Sequence, residues 1–289
     1  MVHFGAMQQI LRATALVFLA SAISAFAQTV KVEAVQYPAW LERGGLAVPL
    51  TPGTILQGQD RLRTGANARV LLTLSEGSAV KLGENAQFVI ERAEDRGVFR
   101  AAFAVLDGAF RFTTRALEKV RGRDVSIKVK NVTAGIRGTD VWGKATEERD
   151  IVCLLEGQVS VAAPGHPVVT LAEPRDFYQK PREGDPLVAK VDARQVETWS
   201  RETEIDANGA AARVGGEWRV FATRSAERDS AREMQRRLRA AGYPAEVVQG
   251  DGYFNVQVPH LASEAQARAL MSNLRAIPGV TLPKVLPMR

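Results

Sequence analysis

The sequence predicts a multidomain chain: an all-β domain first, then a small α+β domain of βαββαβ order. Three patterns carry this expectation. Residues 30 to 172 alternate apolar and polar positions in short runs broken by glycines, with no sustained helical period. A proline-rich stretch follows. Residues 217 to 289 then superpose on themselves at a shift of 36 positions.

In the first part the alternation is read at Val70, Leu72 and Leu74, at Val80 and Leu82, at Phe88 and Ile90, and at Phe110 and Phe112. Val125, Ile127 and Val129 point one way while Ser126, Lys128 and Lys130 point the other. Glycines such as Gly53, Gly65, Gly77, Gly108, Gly138 and Gly157 mark the turns between runs. Short adjacent strands of this kind close as a roll, solenoid or barrel. Cys153, inside Ile151-Val152-Cys153-Leu154-Leu155, reads as a small core hydrophobe.

Residues 173–216 read as a connection with one short helix. Pro164, Pro167, Pro174, Pro181 and Pro186 exclude a helix in the stretch before it, and Val168 to Leu171 forms a last strand of the β-domain. The helix is expected from Ala193 to Ile205, with Val196 and Trp199 on one side and Trp199 capping the β-core. Ala207 to Gly216, rich in alanine and glycine, reads as a flexible tether between two separate bodies.

In the last part the 36-residue shift places Val220 on Val256, Ala231 on Ala267, Met234 on Leu270, Leu238 on Leu274 and Ala241 on Ile277. Helices are predicted over Ala226–Ala241, stopped by Gly242, and over Glu264–Ile277, opened by the Ser263/Gln266 capping pair. Strands are predicted over Trp218–Thr223, Tyr243–Val248, Tyr253–Val258 and Val280–Leu286. That order gives a four-stranded antiparallel sheet with both helices on one face, ferredoxin-like. The other face is open, and alternation puts Arg219, Phe221 and Thr223 on it beside Tyr253, Asn255 and Gln257.

Composition narrows the chemistry. The 289 residues are 46% hydrophobic and 24% charged, those of a folded protein. The formal charge is +6, most of it in residues 217–289, where 11 Lys/Arg face 7 Asp/Glu. One cysteine excludes an internal disulfide framework and a cysteine-based zinc module, and three histidines leave little material for metal or acid–base work. Residues 1–27 have the form of an export signal: Arg12, an apolar run from Ala13 to Ala20, and Ala25-x-Ala27 before a cut at Gln28. The run is far short of the roughly 20 residues that span a bilayer. No later segment reads as transmembrane. The product is expected in the periplasm.

Gly53-Thr54-Ile55-Leu56-Gln57-Gly58-Gln59-Asp60-Arg61-Leu62-Arg63-Thr64-Gly65 resembles the opening motif of FecR-type domains. Leu74-Ser75-Glu76-Gly77-Ser78, Leu106 to Phe110, Ala134 to Val141 and Glu156 to Val161 continue the same series. In this reading Asp60 and Thr64 bond local backbone amides, and Arg137 pairs with an inward carboxylate or meets a ligand. The name-giving members are inner-membrane transducers with a cytoplasmic segment that controls a sigma factor. That segment finds no counterpart here, so the resemblance implies a periplasmic interaction scaffold.

Tyr253-Phe254-Asn255-Val256-Gln257-Val258 before a proline turn, and Leu238-x-x-x-Gly242, resemble a SPOR domain. Phe221, where that family usually has a polar residue, and Pro259-His260 in place of Gly-Pro depart from its pattern. The resemblance implies binding of peptidoglycan, above all of glycan strands poor in stem peptides, by the open sheet face. The glycan-binding candidates are Arg219, Phe221, Thr223, Arg224, Tyr253, Asn255 and Gln257.

The expected function is therefore a non-enzymatic exported protein, possessing no catalytic residue, cofactor or metal, docked on the wall and presenting its β-domain to other envelope proteins. The alternative is an envelope regulator whose β-domain senses a ligand and acts through a membrane partner. A wall-cutting glycosidase needs a carboxylate pair in a cleft, and no such pair is recognisable. RNA-recognition motifs share the βαββαβ topology, but export argues against a nucleic-acid partner. The SPOR resemblance further implies a septal place in cell division.

Overall fold

A computed structural model describes residues 29–114 and 122–288, so the export signal expected over residues 1–27 lies outside the described residues. The β-domain begins with β1 (Val30–Gln36), β2 (Ala39–Arg43), β3 (Leu46–Pro49), β4 (Ile55–Leu56), β5 (Arg61–Thr64), β6 (Arg69–Leu74) and β7 (Ala79–Leu82). It continues with β8 (Gln87–Asp95), β9 (Phe99–Thr113), β10 (Arg123–Val129), β11 (Val132–Ile136), β12 (Asp140–Ala145) and β13 (Arg149–Glu156). Its last strands are β14 (Val159–Ala162), β15 (Val169–Leu171), β16 (Asp176–Pro181) and β17 (Leu187–Lys190). After α1 (Ala193–Arg201) and β18 (Ala211–Arg213) come β19 (Trp218–Ser225), α2 (Arg228–Ala240), β20 (Glu246–Gly250), β21 (Tyr253–Leu261), α3 (Glu264–Leu274) and β22 (Lys284–Pro287).

The β-domain is a roll of two layers. One runs β3–β2–β5–β8–β9–β10–β11–β14–β15, and the other β17–β16–β13–β12–β9–β7–β6–β1. The long strand β9 belongs to both: Phe99 to Asp107 pairs with β8, whereas Gly108 to Thr113 pairs with β12. Gly108 is the corner. Its φ is +80°, and a Cβ there would lie 2.6 Å from the Cα of Ala86, so no larger residue fits. The alternating residues of β6 and β10 fill the space between the layers, where Phe88 stacks on Phe103 at 5.3 Å. Each such buried side chain contributes about 1.5–3 kcal/mol of hydrophobic stabilisation.

The motif residues hold turns. Buried Asp60 accepts from the Gln57 amide at 2.8 Å and from the Arg43 guanidinium at 2.7 and 2.5 Å. The Thr64 hydroxyl donates to the Gly83 carbonyl at 2.7 Å and accepts from the Ala86 amide at 2.8 Å, which ties β5 to the turn before β8. Arg137 is exposed.

The stretch expected as a connection is built into the roll. Its short helix is α1, but β16 and β17 extend the second layer as an antiparallel hairpin. Trp199 of α1 lies flat on buried Trp142, with ring centroids 4.5 Å apart and planes 3° from parallel. Lys144 binds Glu202 at 2.9 Å, and Lys81 and Arg111 bind Glu204 at 2.5 and 3.2 Å. Trp199→Ala is expected to cost about 2 kcal/mol, since the stack of a half-buried ring on buried Trp142 is lost; a lowered urea midpoint at unchanged slope checks it.

The flexible tether expected over Ala207–Gly216 is corrected. Ala211 to Arg213 form β18, which pairs with β1 through Ala34, Val35 and Gln36 and with β21 at Ala212↔Leu261. Small side chains let this strand sit between two others, and alanines 210, 211 and 212 are buried. The second layer thus runs on into the C-terminal sheet, whose order is β20–β21–β19–β22. The two domains are joined rather than separate. Of the repeat positions, Val220 and Val256 on the sheet and Ala231, Met234, Leu238, Ala267, Leu270 and Leu274 on α2 and α3 are buried between helices and sheet, whereas Ala241 and Ile277 are half-buried.

Candidate surface for glycan docking

The face of the C-terminal sheet turned away from α2 and α3 is set by register, because directly paired residues share a face. One row across it is Lys284, Phe221, Gln257 and Glu246; the next is Arg224, Asn255 and Val248. Arg219 lies beside Leu286, and Tyr253 beside Gly250. Arg224, Tyr253, Val248, Lys284 and Leu286 are exposed, while Phe221, Asn255, Glu246 and Arg219 are half-buried. Three cations against one carboxylate leave this face positive.

Two of the sequence-derived positions differ. Thr223 does not share the face: a β-bulge at Ala222 shifts the register, so Thr223 pairs with Val256 and its hydroxyl lies 3.0 Å from that of Thr281. The same bulge brings Arg224 opposite Asn255, and its guanidinium stands 4.6 Å over the Tyr253 ring. Gln257 is on the face but only 6% exposed. Its amide oxygen accepts from Arg219 at 3.3 Å and its amide nitrogen donates to Glu246 at 2.7 Å, so both ends are occupied within the protein. Gln257 therefore holds Arg219 and Glu246 in place.

Lys284 and Val248 complete the surface and were not reached from sequence alternation in the first and third strands. Their signal lies in the antiparallel pairing of β20 and β22, which assigns them once the register is known. His260, with φ +64°, sits where two residues of β21 face one of β19.

Elsewhere, Cys153 offers no nucleophile: burial, assisted by Asp176, pushes its thiol up to about 12. Among the described residues, no three His, Cys, Asp or Glu gather as a metal site, and no helix is long and apolar enough to cross a membrane.

Comparison with known proteins agrees with this architecture. Residues 60–160 match the model of the FecR protein family, and residues 214–281 match that of the SPOR domain. The chain carries a FecR-type domain followed by a C-terminal SPOR domain. These are domain families of binding and regulation, and the SPOR match supports peptidoglycan binding. Crystal structures of a candidate anti-sigma factor from Parabacteroides distasonis, at 1.65 and 2.50 Å resolution, share 16% and 15% identity with this chain, each at a TM-score of 0.42. The alignments cover 76% and 79% of this chain and 92% and 98% of those chains. No curated protein matches the chain.

Proposed function

We propose that the chain is an exported, periplasmic, non-enzymatic protein that docks on glycan strands of peptidoglycan, while its FecR-type roll serves as a scaffold for other envelope proteins. The observation that carries this reading is the exposed group Arg224, Tyr253, Val248 and Lys284 with half-buried Asn255 and Phe221 alongside. Strands stripped of stem peptides expose lactyl carboxylates and apolar sugar faces. Arg224 and Lys284 suit the carboxylates, Tyr253, Phe221 and Val248 suit the sugar faces, and Asn255 suits the acetamido groups. Gathering at the septum follows if such stripped strands accumulate there.

The test is sedimentation of the full chain with purified sacculi. Binding is expected to rise after amidase removes stem peptides and to weaken with salt. Tyr253→Ala combined with Arg224→Ala is expected to weaken it about tenfold or more, as loss of a stacking and an ionic anchor together. Sedimentation that neither amidase nor this double variant changes would sink the proposal.

A second reading, a regulator acting through a membrane partner, is supported by the FecR match over residues 60–160. Co-purification of a membrane protein with the roll, lost on deletion of that partner, would favour it.

A further inference from the structure

A cavity of about 820 Å³ lies where the roll, the connection and the C-terminal domain meet. That volume is in the range of small-ligand sites and holds a disaccharide. Its walls come from all three parts of the chain: Tyr37, Asn67 and Arg69 from the roll, Asn208 from the connection, and Tyr243 and Asn273 from the C-terminal domain. Tyr37 and Tyr243 meet edge to face with ring centroids 6.2 Å apart, giving the cavity an aromatic wall.

The charges in the cavity are not all matched. Glu204 is held by Lys81 and Arg111, and Arg201 by Glu197. Asp206 accepts from the Asn208 amide at 2.9 Å. Arg69 is different. One terminal nitrogen donates to the Ala68 carbonyl at 2.8 Å, its Nε is buried with no acceptor, and no carboxylate among the described residues pairs with it. Among the described residues, the side-chain amides of Asn67, Asn208 and Asn273 engage no protein partner either, and each of these residues is exposed. An unmatched guanidinium and three free amides together suit a ligand with a carboxylate and several hydroxyl or acetamido groups.

We infer that this interdomain cavity binds a soluble, carboxylate-bearing amino sugar of the muramic type, as a mono- or disaccharide released from the wall. The inference rests on the wall-docking reading only for the source of the ligand; the chemistry comes from the cavity. Arg69 takes the carboxylate, and the asparagines take the hydroxyl and acetamido groups. Because the walls belong to two domains, an occupied cavity holds them together.

The experiment is calorimetric titration of the full chain with N-acetylmuramic acid and with its disaccharide with N-acetylglucosamine. N-acetylglucosamine, which lacks the carboxylate, is the control. The acidic sugars are expected to bind at least tenfold more tightly than the control. At a hundredfold excess over Kd they should raise the melting temperature by about 5 °C or more. Arg69→Gln is expected to remove at least tenfold of that affinity and Arg69→Lys to retain part of it. Asn273→Leu, at an exposed site that tolerates substitution, is expected to weaken binding a few-fold. Arg69→Gln should sediment with sacculi like the unaltered chain, whereas the Tyr253/Arg224 double variant should keep its affinity for the soluble sugars.

Equal binding of the control, or full affinity in both Arg69→Gln and Asn273→Leu, overturns the cavity proposal and leaves wall docking standing. Loss of sacculus sedimentation in Arg69→Gln overturns the assignment to a soluble fragment. Failure of the outer-face variant alone to affect sedimentation counts against wall docking and not against the cavity.

Discussion

Replacing Gly242 by valine is expected to lower stability by about 2–5 kcal/mol and to undock the two domains. Gly242 ends α2 with φ +86°, a conformation that strains a β-branched residue by about 1–2 kcal/mol. It also lies against the roll: a Cβ there would come 2.8 Å from the Pro38 Cβ and from the Trp40 ring. Overpacking of that kind adds about 1–3 kcal/mol. The contacts at risk are the Trp40 indole donating to the Ala240 carbonyl at 3.2 Å and the Ala39 amide donating to Gly242 at 3.4 Å. Urea unfolding followed by far-ultraviolet dichroism and by tryptophan fluorescence checks this. The variant should unfold in separated steps, the first at lower urea; a single unshifted transition by both probes would contradict it.

Asp150→Ala is expected to cost about 3 kcal/mol. The Asp150 side chain is fully buried and accepts from Arg182 at 2.8 and 2.9 Å and from the Asn131 amide at 3.1 Å. It thereby ties the β16–β17 hairpin and the β10–β11 turn to β13. Removing one partner of a buried ion pair typically costs about 3–5 kcal/mol. The lower end applies because Arg182 is 30% exposed and rehydrates in part. Asp150→Asn keeps the shape and one acceptor and should cost about half as much. Thermal melts of the two variants give the comparison, and equal melting temperatures for Asp150→Ala and the unaltered chain would refute it.

Much of the architecture was legible because it rests on period and repetition. The 36-residue shift selected the helix-facing positions of the C-terminal domain, and the register agrees for Val220, Val256 and Val258. The placement of Phe221, Tyr253 and Asn255 on the opposite face followed from the same alternation. Thr223 escaped because a bulge inserts one residue and reverses the phase beyond it, and nothing in Phe221-Ala222-Thr223 announces a bulge. Gln257 was assigned to the right face but not to its burial, which depends on Arg219 and Glu246 closing over it from neighbouring strands. Ala207–Gly216 misled for another reason. Small residues serve a mobile tether and a closely packed strand equally well, and only the partners β1 and β21 decide between them. Prolines likewise barred helix in the preceding stretch without barring the β16–β17 hairpin.

The three-residue strand β18 makes these domains poor cassettes. A graft cut at residue 217 would leave behind one of the two backbone partners of Leu261 and strip the neighbour from β1 at Ala34 to Gln36. Transplanting the wall-docking unit onto another carrier would therefore need Ala211–Arg213 to travel with it, along with a host surface able to receive Gly242.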